Sequence, residues 1–163
     1  MKGQIIMRLS VIALLVLTSL PVWSLPASAA EQAFRCEPTQ EDEMGPFYRP
    51  DAAHRNRIGT GYLLFGTVKS ARDCSPIANA RIEFWMTGPQ GRYGDDWRAT
   101  VFSATDGTYH FMSHTPTDYG NRRPHIHIRV TAEGFSSVVT QHYPAKDAGE
   151  ALFDLVLIPS PRQ

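Results

Sequence analysis

Short alternating segments, broken by a turn signal about every ten residues, limit the folds open to this chain more than any other feature. Residues 61–69 read as a first strand, and Asp73-Cys74-Ser75-Pro76 supplies a turn. Residues 81–87 alternate with Ile82, Phe84 and Met86 on one side. Gly88-Pro89-Gln90-Gly91 then breaks the pattern and launches a loop carrying Arg92 and Tyr93. Segments near 99–104 and 108–112 flank Thr105-Asp106-Gly107, a hairpin signal. Strand patterns follow at 125–130, 137–142 and 151–158, and no stretch reads as a helix. The expected architecture is all-β, an antiparallel β-sandwich.

The N-terminus reads as an address. Lys2 and Arg8 precede the apolar run Val11 to Leu17, and Ala27-Ser28-Ala29 has the small-x-small form of a cleavage site. The expected organisation is a signal peptide over 1–30, an extended arm over 31–60 and a β-sandwich over 61–163. An N-terminal membrane anchor is the alternative, although the apolar run is short for a span. With Lys2 and Arg8 set aside, 14 of the 16 basic residues remain against 16 acidic ones, a net charge of −2. That balance leaves no footprint for nucleic acid or an anionic membrane, so small molecules and proteins remain as partners. No stable membrane insertion is expected after signal cleavage, the location is periplasmic or secreted, and the oligomeric state is open. Cys36 and Cys74, both beyond the signal, are expected to bridge in an oxidising compartment.

The histidines carry the chemistry. In residues 125–130, Ile126, Ile128 and Val130 form the core face, and His125, His127 and Arg129 share the other. Two imidazoles two residues apart on a strand can reach one metal ion. With Tyr119 just upstream and Tyr93 on its loop, four side chains could meet at a metal. Imidazole suits zinc, copper and iron alike. A phenol must lose a proton with a pKa of about 10 to become a ligand, and a trivalent, strongly Lewis-acidic ion offsets that loss. Fe(III) is therefore the candidate. The plainer reading is a strand face with two solvated histidines and a loop aromatic.

An ordered series of motifs extends the pattern: Gly45-Pro46-Phe47-Tyr48, the run Pro76 to Trp85, Gly91-Arg92-Tyr93, the run Thr105 to Phe111, the run Arg122 to His127, and Thr140-Gln141-His142-Tyr143. In these the chain resembles the intradiol ring-cleavage dioxygenases of the catechol and protocatechuate 3,4-dioxygenase types, in particular short exported single-domain relatives. The resemblance implies a prealbumin-like β-sandwich holding non-haem Fe(III). Its function would be cleavage of a catecholic ring with O2 to a muconate-type diacid. It implies Tyr93 as the retained tyrosinate, Tyr119 as the tyrosinate displaced by substrate, and His125 and His127 as imidazole ligands. Arg122 matches the active-site arginine, with Arg123 as the alternative, and Gln141 matches a glutamine that hydrogen-bonds near the iron. Trp85 and Trp97 are expected to be packing aromatics and Glu83 a solvated strand residue. His110, His114 and His142 are expected at the surface. A secreted β-sandwich binding module without catalysis and a His-x-His copper or zinc protein are the competing classes.

Overall fold

The computed structural model describes residues 33–161. The signal peptide expected over 1–30 and the first residues of the arm lie outside them. Eight strands follow in chain order: β1 (Tyr62–Ser70), β2 (Arg81–Met86), β3 (Arg98–Phe102), β4 (Thr108–Ser113), β5 (Ile126–Thr131), β6 (Val138–His142), β7 (Glu150–Leu152) and β8 (Leu155–Leu157). Among the described residues the helical content is one 3-10 turn, Asp95–Trp97. The site-bearing sheet has the order β3-β2-β5-β6 and is antiparallel throughout. In the second sheet β4 pairs antiparallel with β1, while the short β7 and β8 run parallel to it. The all-β sandwich read from the sequence is the fold.

Alternation decides what lies between the sheets. Ile82, Phe84 and Met86 of β2 and Ile126, Ile128 and Val130 of β5 are at most 1% exposed. They meet Tyr62, Leu64 and Val68 of β1 and Phe111 of β4, and Phe84 stacks on Phe111 with centroids 4.2 Å apart. Each such side chain contributes about 1.5–3 kcal/mol by leaving water.

Two local expectations need correction. Thr105-Asp106-Gly107 does form a turn, with Gly107 N–H donating to Ala104 O at 2.9 Å and Ala104 N–H to Thr108 O at 2.8 Å. It does not join a hairpin, because β3 pairs with β2 and β4 with β1. The turn chemistry of a hairpin also serves a corner between sheets, and burial of the two apolar faces in different sheets decides the outcome. The single strand expected over 151–158 is split at Phe153-Asp154. There the Phe153 carbonyl accepts from Tyr109 Oη at 2.6 Å, and Asp154 accepts from Thr67 N–H at 2.9 Å and pairs with Lys69. Gly66 permits this approach, since a Cβ at that position would lie 2.2 Å from the Phe153 carbonyl oxygen.

The arm positions the site. Asp42 N–H donates to Val139 O on β6, and Thr100 N–H on β3 donates to Ala53 O, both at 2.9 Å. β6 and β3 are opposite edges of one sheet, so residues 43–52 cross its outer face. The disulfide Cys36–Cys74 ties the start of the arm to the turn after β1. This covering explains further corrections: Glu83, expected to be solvated, is 2% exposed, and His127 is also 2% exposed. His142, expected at the surface, is 9% exposed for a different reason: it stands opposite Ile126 on the inner face and bonds Tyr62 Oη at 2.6 Å through Nε2.

Candidate metal centre

His125 and His127 project from the start of β5 toward the arm, as the two-residue period requires. His125 Nδ1 lies 2.6 Å from the Arg123 carbonyl, which can only accept, so Nδ1 carries the proton and Nε2 offers a lone pair. His127 lies flat on the Trp85 indole, with centroids 4.9 Å apart and planes 1° from parallel. Its Nε2 is 3.1 Å from His125 Nε2 and 3.1 Å from Tyr93 Oη, and Tyr93 Oη is 3.3 Å from His125 Nε2. Ligand atoms each about 2 Å from a first-row metal ion stand roughly 3–3.4 Å from one another. The triangle of two nitrogens and one phenol oxygen fits a single cation.

Electrostatics point the same way. Burial pushes the His127 imidazole down to about 4, with His125 and Arg122 adding and the Glu43 carbonyl and Asp42 opposing, so the ring is neutral and free to ligate. Burial pushes the Tyr93 phenol up to about 12; Arg122 and Arg98 oppose that and Tyr119 adds to it. The protein alone keeps Tyr93 protonated, and only a strongly charged ion could turn this phenol into a ligand. Among the described residues no three His, Cys, Asp or Glu side chains converge on one point, which makes the phenol essential to the set.

Tyr119 stands at the rim. Its ring meets Tyr93 edge-on at 5.5 Å and Phe47 at 5.3 Å, it is 40% exposed, and its hydroxyl makes no hydrogen bond among the described residues. The structure therefore brings three of the four expected donors together and leaves the fourth beside them in an open cleft of about 550 Å3, lined also by Phe47, Tyr48 and Tyr93.

A polar network backs the cluster. Arg122 donates to Glu43 Oε2 and to Gln141 Oε1, both at 2.7 Å, and Gln141 Nε2 donates to the Glu43 carbonyl at 2.6 Å. Tyr143 Oη donates to Asp42 Oδ2 at 2.9 Å. Arg123 instead lies over the Tyr143 ring, 4.5 Å from its centroid. Of the two arginines, Arg122 is the one held against Gln141. A second group went unread in the sequence: Glu83 accepts from Arg129 at 2.8 Å and Arg81 at 3.1 Å, and from Tyr48 Oη at 3.2 Å. The Gly-Pro-Phe-Tyr motif was its available signal, since Phe47 stacks on Tyr93 at 4.3 Å while Tyr48 caps Glu83.

Fold and cluster together define an arm-covered β-sandwich with an imidazole and phenol donor set. No protein-family model matches the chain. It is 29% identical to the hydroxyquinol 1,2-dioxygenase of Rhodococcus opacus over 142 residues, which is 67% of this chain and 47% of that protein. It is 24% identical to an intradiol ring-cleavage dioxygenase of Aspergillus niger, over 68% of this chain and 46% of that one. The dioxygenase domain of a dioxygenase carbohydrate-binding fusion from Streptomyces sp. SirexAA-E superposes with a TM-score of 0.69 at 25% identity, covering 76% of this chain and 100% of that one. The chain spans about half the length of the curated relatives it matches. These relatives and structural neighbours are intradiol ring-cleavage dioxygenases, and the chain is similar to them.

Proposed function

We propose that this protein is a non-haem Fe(III) intradiol dioxygenase, exported to the periplasm or beyond, that opens a catecholic ring with O2 to a muconate-type diacid. The observation that carries the reading is the triangle of Tyr93 Oη, His125 Nε2 and His127 Nε2, with edges of 3.1–3.3 Å. Tyr93, His125 and His127 would hold the ion, with Tyr119 beside them as the fourth donor. Fe(III) would supply Lewis acidity that favours the deprotonated diol and raises the electron density of its ring. The chain's own residues do the rest. The cleft, walled by Phe47, Tyr93 and Tyr119, offers aromatic surface to a flat ring. Tyr119, as a phenolate fourth donor to the ion, would take up one proton of an arriving diol on leaving it. Arg122, fixed by Glu43 and Gln141, is a preorganised positive charge felt at both Tyr93 and His127. Such a charge stabilises negative charge that grows on the substrate. The Cys36–Cys74 disulfide supports the exported location.

The test is a visible absorption spectrum of the iron-loaded protein before and after anaerobic addition of catechol. The expected result is a reddish-brown protein whose band moves to longer wavelength with catechol. A protein that stays colourless after iron reconstitution would overturn the reading in favour of a binding module. A His-x-His zinc or copper protein would hold its metal without needing Tyr93, so Tyr93→Phe separates that class.

A further inference from the structure

The cleft contains a charge with no adequate partner. Arg98, the first residue of β3, is 5% exposed and lines the cleft. Its backbone is pinned, since Arg98 O accepts from Arg55 Nε at 3.1 Å and Nη2 at 2.9 Å. Its side chain donates no hydrogen bond among the described residues, and Nε and Nη1 are buried without partners. The nearest carboxylate oxygen, Asp95 Oδ1, is 3.5 Å from Nε, belongs to a side chain 75% exposed, and is already engaged by Arg49 at 3.1 Å. A buried guanidinium is expensive to leave unpaired, and an anion is the ligand chemistry that would offset that cost. The other charges on the cleft wall, Arg49 and Arg92 against Asp95, leave the field positive.

Register fixes where that anion would sit. Arg98 pairs with Trp85 and Trp85 pairs with His127, so Arg98, Trp85 and His127 form one row across the sheet with side chains on the same face. Adjacent strands are about 4.8 Å apart, which puts Arg98 roughly 10 Å from His127 along the row. Trp85 stands between them in the row, 1% exposed, and Tyr48 packs over it, ring to ring at 5.1 Å.

We propose that Arg98 is a specificity-determining residue that binds an anionic substituent, a carboxylate or similar oxyanion, on the aromatic substrate's side remote from the diol. The proposal rests on the catecholic reading above. It makes the preferred substrate an acidic catechol rather than a neutral one.

The experiment compares 3,4-dihydroxybenzoate with 4-methylcatechol, which has the same ring and diol and a neutral group of similar size. Binding is measured by titration calorimetry on the full iron-loaded protein, and turnover by oxygen uptake. A charge-assisted hydrogen-bonded pair corresponds to about tenfold to a hundredfold in affinity. The wild type should bind the acid at least about tenfold more tightly. Arg98→Gln should abolish that preference by weakening the acid alone, and Arg98→Lys should keep part of it. Equal affinity of the wild type for both compounds would overturn the proposal, and that comparison needs no variant to fold. An Arg98→Gln protein with wild-type circular dichroism that still prefers the acid would overturn it as well. The two readings fail separately. Arg98-dependent acid preference without oxygen uptake would sink ring cleavage and leave the anion site. Equal turnover of both compounds, unchanged in Arg98→Gln, would do the reverse.

Discussion

The two faces of the site-bearing sheet are built from the same strands and held by different physics. The inner face is apolar: Ile82, Phe84 and Met86 alternate with residues that turn outward, and the opposing sheet covers them. The outer face is polar: Glu83, His127, Arg129 and Gln141 lie there, and their cover is the irregular arm. The inner face gains stability by excluding water from surface that has no use for it. The outer face has to satisfy every buried donor and acceptor, and its members have only a few partners each. Residues that can bind a cation or a substrate belong on the second kind of face, because their chemistry survives burial.

The largest expected effect is on the inner face. Phe84→Ala removes the ring stacked on Phe111 and opens a cavity between the sheets, and should destabilise the protein by about 3–5 kcal/mol. Urea unfolding of the metal-free protein measures it. A loss below about 1 kcal/mol would mean that the inner face is not the principal source of stability.

On the outer face, Glu83→Ala strands the Arg129 and Arg81 guanidiniums and the Tyr48 hydroxyl under the arm. Removing one partner of a fully buried pair costs about 3–5 kcal/mol, and here the Arg129 side chain is 30% exposed, which reduces the expectation to about 2–3 kcal/mol. The comparison sharpens in limited proteolysis. Glu83→Ala should speed cleavage within residues 43–52, whereas an inner-face variant of comparable cost such as Ile128→Ala should leave local cleavage of the arm unchanged. Equal cleavage in both would show that Glu83 does not anchor the arm.

The contrast between faces also marks how far the sequence could be read. Alternation reports which residues share a face, so the core positions of β2 and β5 and the pairing of His125 with His127 were legible. It does not report what covers a face. Glu83 looked like a solvent residue because nothing periodic in 33–60 announces that this segment will cross the sheet, and His142 did because its polar side chain stands at an inward position of β6, opposite Ile126. The arm carries its register in isolated hydrogen bonds, such as Asp42 N–H to Val139 O, which leave no repeating pattern. Arg98 was passed over for a related reason. Its importance lies in the absence of a partner, and an unpaired donor has no signature in a sequence. The Thr105-Asp106-Gly107 turn misled because local chemistry specifies the turn and long-range burial specifies which sheet each arm of it joins.

The smallest effect separates the faces by pH. His142 ends β6 and lies against Tyr62 and Phe153, ring to ring at 5.9 and 5.1 Å, away from the candidate metal centre. Burial pushes its imidazole down to about 4. The unfolded chain takes up a proton near the ordinary value of about 6.5, whereas the folded chain refuses it until about 4, so unfolding binds protons across that window. Stability therefore carries no His142 penalty above about pH 7 and falls as the pH drops from about 6.5 toward 4. Between pH 7.5 and pH 5 the wild type should lose on the order of 1–2 kcal/mol more than His142→Gln, which can still bond Tyr62 and cannot titrate. Thermal unfolding of both proteins at the two pH values checks this. A loss of stability shared by both proteins would overturn the His142 assignment and place the acid sensitivity in other groups.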